Sequence, residues 1–151
     1  MLPGLLVAGA ALAIAAGIGQ AYRARNGRLR ARPAATAAGG RGEPAEAGLT
    51  AAEIGGTLGS RATLLQFSSA FCAPCRATRL ILADVTRLVE GVTHVEIDAE
   101  SRLDLVRRLD VRRTPTTFVL GPDGRITHKA SGPPRKAEVL AALAASPGFP
   151  S

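Results

Sequence analysis

ATLLQFSSAFCAPCRATRLILADVTRLV, residues 62–89, decides how the rest of the chain is read. Its first eight residues, 62–69, form a short apolar run bounded by small polar residues, as a buried strand does. From Cys72 to Val89 the apolar positions Leu80, Ile81, Val85, Leu88 and Val89 alternate with Arg76, Arg79, Asp84 and Arg87. That spacing is helical, and Gly91 ends it. Cys72 and Cys75, the only cysteines, stand where the strand has ended and the helix begins. The unpaired amides and dipole of a helix N-terminus stabilise an anion there. A thiol at Cys72 therefore loses its proton more easily, and the thiolate is the nucleophile. Cys75 lies one turn later, and Pro74 suits a first helical turn. Cys72 can attack a substrate disulfide, and Cys75 can then attack Cys72 and release the reduced product.

Three other uses of the pair stay open at this point: half a zinc site, a structural disulfide, or two inert thiols. Zinc asks for four ligands, usually in two close pairs. His94 and His128, the only histidines, are 34 positions apart and make no second pair. A structural bridge across so short a loop removes little entropy from the unfolded chain. No metal and no cofactor are expected.

The strand and helix extend to a whole domain. Residues 49–59 read as a lead-in with at most one helical turn. Residues 92–98, VTHVEID, read as a second strand, and residues 101–109 as a short amphipathic helix capped near Glu100 or Ser101. TTFVLG and RITHKAS flank the turn residues Pro122, Asp123 and Gly124, the pattern of a hairpin. Residues 133–144 read as a last helix opened by prolines. Strands on either side of a crossover helix should be parallel. The class is therefore α/β, a central mixed sheet flanked by helices.

The N-terminal part differs. Residues 2–22 contain no charged residue and are long enough to cross a hydrocarbon core as a helix. Tyr22 suits an interface. Arg23, Arg25, Arg28, Arg30 and Arg32 follow and none precedes, which predicts a cytoplasmic domain. Residues 33–48 carry almost no large apolar side chain and read as a flexible tether. The expected division is 1–22 anchor, 23–48 basic then flexible linker, 49–151 folded domain. The net charge is +7, of which residues 23–48 hold +4. Without a basic, aromatic-studded stripe on the folded part, nucleic acid is not an expected partner.

Strand, FCAPC, helix, and then Thr114-Pro115-Thr116 before a hairpin resemble the thioredoxin family over about residues 55–145. The whole resembles a bacterial, actinobacterial, membrane-anchored thioredoxin family protein, with one transmembrane helix ahead of a thioredoxin-like fold. The resemblance implies a redox-active Cys72–Cys75 disulfide and a cis bond before Pro115. It implies that the Thr114 backbone pairs with substrate, that Gly132 lies beside it, and that Phe71, Ala73 and Pro74 border the site. Two positions depart from the family pattern: Phe71 stands for the usual Trp and Gln66 for a buried Asp. His94 stands for the family's Lys; it alternates with Val95 and Ile97, could point toward Gln66, and could tune Cys75.

The expected function is a membrane-anchored thiol-disulfide oxidoreductase that reduces disulfide-containing proteins and draws electrons from a thiol donor. An extracytoplasmic thiol-maturation reductase and a non-catalytic peptide-binding adaptor are the alternatives.

Overall fold

The computed structural model describes residues 2–31 and 48–149, except for the side chains of residues 2–6, 8, 23 and 25. Most of the expected tether, residues 33–48, lies outside the described residues. The elements are α1 (Leu2–Arg25), β1 (Arg30–Ala31), α2 (Ala51–Ile54), β2 (Ala62–Ser68), α3 (Ala73–Leu88), β3 (Val92–Asp98), α4 (Leu103–Arg108), β4 (Thr116–Leu120), β5 (Ile126–Ser131) and α5 (Lys136–Ala144).

The sheet runs β1-β5-β4-β2-β3. β2 and β3 are parallel, joined by α3 as a crossover, and the other pairings are antiparallel. Every residue of β2 is buried, because helices cover both faces of this central strand. Leu64 faces one core with Leu82, Val85, Val119, Val139 and Leu143. Leu65 and Phe67 face the other with Val95, Ile97, Leu105 and Phe118. The Phe67 and Phe118 rings meet edge to face, centroids 5.8 Å apart, the arrangement that ring quadrupoles favour.

Local chemistry sets the element ends. Thr50 Oγ1 accepts from Glu53 N at 3.3 Å while Glu53 Oε2 accepts from Thr50 N at 2.8 Å, a capping box. That carboxylate, also bonded to Arg108, is held down to about 2. α3 opens on Cys72 with Pro74 in its first turn. Gly91, at φ 76°, turns the chain into β3.

Two boundaries move, and one helix face differs from the expected one. α4 is capped at Arg102, not at Glu100 or Ser101. Those two residues instead close a turn on Asp98: Glu100 N donates to its carboxylate and Ser101 Oγ to its carbonyl. α5 begins at Lys136, after Pro133 and Pro134. In α3 the buried stripe is Cys75, Thr78, Leu82 and Val85, whereas Leu80 and Leu88 face outward.

The N-terminal segment contributes to the sheet. Arg30 and Ala31, expected in a linker, pair with Lys129 and His128 of β5. Among the described residues, no helix is long and apolar enough to cross a membrane.

Candidate functional site

Three loops converge at one end of the sheet. The first joins β2 to α3 and carries Phe71 and Cys72. The second precedes β4 and carries Thr114 and Pro115, joined by a cis peptide bond. The third follows β5 and carries Gly132. Ser69 Oγ and Thr114 Oγ1 share a hydrogen bond of 2.9 Å, tying the first loop to the second. Gly132 N donates to Pro115 O at 2.7 Å, tying the third. Gly132 sits at φ 100° with Asn26 packed directly against it, so a side chain there would be both strained and obstructed.

Cys72 and Cys75 are joined in a disulfide. The two sulfurs are not equivalent. Cys72 is half-buried and Cys75 is buried at 2% exposure. Cys72 Sγ accepts a hydrogen bond from Cys75 N at 3.2 Å, the helix N-terminal amide acting on the outer sulfur. Such a bond favours the anionic form of the sulfur once the bridge is reduced. Phe71 is fully exposed beside it, and Ala73 and Pro74 are exposed.

Among the described residues, no hydrogen bond joins Gln66 and His94. In the β2–β3 register Gln66 lies opposite Glu96, and His94 opposite Leu64. Gln66 Nε2 donates to Cys75 O at 3.0 Å and to Ser68 Oγ at 2.8 Å. Ser68 Oγ donates to Glu96 Oε1 at 2.5 Å. Glu96 in turn holds Arg79 through bonds of 2.6 and 2.8 Å. The Arg79 guanidinium keeps the Glu96 carboxylate below its usual range, against the effect of burial. Among the described residues, His94 Nε2 has no hydrogen-bond partner.

The polar neighbours of Cys75 are therefore Gln66, Ser68 and, through them, Glu96 and Arg79. Sequence reasoning missed the last three. One signal was present: Glu96 stands two positions from His94, on the same face of an alternating strand. Only the register with β2 says which of the two meets Gln66.

The thioredoxin family model matches residues 53–145. The chain belongs to the thioredoxin family. It is 32% identical over 72 residues to thioredoxin H5 of Oryza sativa subsp. japonica, a match covering 48% of this chain and 53% of that protein. To thioredoxin H4-1 of the same plant it is 32% identical over 85 residues, 55% of this chain and 64% of the relative. The chain thus spans about half the length of the curated relatives it matches, or somewhat more. Among solved structures it resembles spinach chloroplast thioredoxin f, with a TM-score of 0.51 and 20% identity over 58% of this chain and 77% of that one. A mutant thioredoxin of Halobacterium salinarum gives a TM-score of 0.53 at 17% identity, over 58% and 75% of the two chains. These two likenesses concern the thioredoxin fold alone.

Proposed function

We propose that the chain is a thiol-disulfide oxidoreductase that reduces protein disulfides, with Cys72 as nucleophile and Cys75 as resolving thiol. The observation that carries this is the asymmetry of the pair. The more accessible sulfur receives a helix amide, and the buried one stands behind it. In the reduced protein the Cys72 thiolate attacks a substrate disulfide. One Cys72–substrate bond forms, the substrate S–S bond breaks, and the first substrate thiol leaves with a proton. Cys75 then gives up its proton and attacks Cys72 Sγ. The second substrate thiol leaves, and the enzyme ends as the disulfide. A thiol donor returns two electrons for the next turnover. Thr114, Pro115 and Gly132 receive the extended substrate segment, with Phe71, Ala73 and Pro74 at its border. Gln66 cannot titrate, so the carboxylate of the polar network behind Cys75 is Glu96, three hydrogen bonds away from Cys75 O.

Insulin reduction in the presence of dithiothreitol tests the reading. Cys72→Ser should lose all turnover, and Cys75→Ser should accumulate a mixed disulfide with substrate. Turnover equal to that of dithiothreitol alone in the unmodified chain, with peptide binding intact, would leave a non-catalytic adaptor.

We further infer, from the sequence, that residues 2–22 attach the domain to a membrane and that the domain is cytoplasmic. The uncharged run and the five arginines after it support this. The Arg-, Ala- and Gly-rich, Lys-poor composition supports a bacterial, actinobacterial source. Membrane-impermeant thiol labelling of intact cells tests the orientation. Labelling of Cys72 from outside would place the domain in the extracytoplasmic, thiol-maturation role.

A further inference from the structure

The proposed reaction leaves open which disulfides are taken, and a cluster on the β5 side of the site bears on that. Arg113 directly precedes Thr114 and Pro115. Its Nη1 donates to Tyr22 Oη at 3.0 Å, and its Nη2 donates to Ser131 O at 2.7 Å and to Asn26 Oδ1. The guanidinium stands 6.0 Å from the centroid of the Tyr22 ring. The segment that supplies these partners is itself fixed. Gly27 N donates to Ser131 O at 3.0 Å. Asn26 lies against Gly132, and Gly27 lies so close to Pro133 that a Cβ would overlap the Pro133 carbonyl. Arg30 and Ala31 then pair with β5. The end of α1 and the chain after it are thus built onto the disulfide end of the sheet, beside the residues proposed to receive substrate.

The three acceptors that hold Arg113 are neutral oxygens. Other arginines differ: Arg112 pairs with Asp110, and Arg79 with Glu96. The Arg113 charge is oriented by its contacts but not neutralised by them. A guanidinium carries five N–H donors, and these bonds use three. Arg76, exposed in the first turn of α3, adds a second cation near Cys75. Asp98, the last residue of β3, and Glu100, in the loop after it, lie on the opposite side of β2 from β4.

We propose that Arg113, held in place by Tyr22 and Asn26, is a specificity-determining residue that favours protein disulfides flanked by an acidic side chain. This rests on the dithiol reading above. A carboxylate entering beside Pro115 meets an oriented charge with donors to spare, whereas an ammonium group is repelled.

The test uses the full chain in its reduced form. Two cystine-bridged peptides, identical except for Glu or Lys next to the half-cystine, are compared with a neutral small disulfide. At low ionic strength kcat/KM should favour the Glu peptide by at least about fivefold. The ratio should shrink as salt rises toward about 0.5 M, as screening of an exposed charge requires. Arg113→Gln should bring it near one, and Arg113→Lys, which keeps the charge, should retain it. A ratio near one in the unmodified chain, with the neutral disulfide reduced, overturns the proposal and leaves the dithiol reading standing. Failure to reduce any of the three overturns both. Should Arg113→Gln not fold, the salt dependence of the unmodified chain's ratio decides.

Discussion

Burial holds the His94 imidazole below the ordinary histidine range; Glu96 pulls the other way, and Arg79 adds to the depression. A depressed folded-state value means that the unfolded chain binds the proton first as pH falls. Stability is then lost as pH drops below the unfolded value of about 6.5 and on through the folded one. His94→Asn should therefore flatten the fall in stability between about pH 7 and pH 5, measured by urea unfolding at each pH. An equal fall in both proteins would show that His94 is not the group responsible. The residue expected to tune Cys75 thus has its clearest physical consequence in stability. The contacts to Cys75 come instead from Gln66, whose amide reaches the Cys75 carbonyl. Residue type marked Gln66 and His94 as unusual. It did not say that Ser68 and Glu96 would complete the network, because neither is unusual on its own.

The helix α3 separates hydrophobic pattern from burial. Leu80 belongs to the apolar set that makes the segment read as a helix, yet it is 71% exposed, whereas Leu82 is fully buried. A period of 3.6 residues assigns the element, but two neighbouring apolar rows can compete for the inner face. The inner row here contains Cys75 and Thr78, neither of which weighs much in a hydrophobicity count. Leu82→Ala should cost about 2–5 kcal/mol, since it leaves a cavity between α3 and the sheet. Leu80→Ala should stay within about 0.5 kcal/mol, as exposed substitutions do. Chemical denaturation of both variants checks the assignment, and comparable losses would reverse it. The parallel β2–β3 pair was legible because a crossover helix joins its strands, and the β4–β5 hairpin because it depends on local turn chemistry. The start of α5 was less so: paired prolines mark a helix entry only within a residue or two.

For the molecule as a whole, the junction between α1 and the domain is the feature with most consequence. Gly27 sits at φ 78° and is pressed against the Pro133 carbonyl. Gly27→Ala would place a side chain in a left-handed conformation and into backbone atoms, a penalty of at least about 1–2 kcal/mol. The loss should be local. Amides of Arg30 and Ala31 should exchange faster with solvent, while β2, β3 and β4 keep their protection, as hydrogen exchange can read. Unchanged protection at β1 would show that the junction does not depend on Gly27. The same junction explains why the expected linker was only partly one. Two residues are too few to show a strand's alternation, so β1 exists only because the free edge of β5 supplies partners for its backbone groups.

The sequence by itself determined the fold class, the position of the cysteine pair at a strand-to-helix junction, and the family, since each rests on patterns a few residues long. Tertiary structure decided which sulfur is sheltered, which polar side chains stand behind it, and that the segment after α1 returns to the disulfide end of the sheet. Those are matters of register and packing between positions as distant as Tyr22 and Arg113. No local propensity records a contact of that kind; it follows from the free energy of the assembled chain.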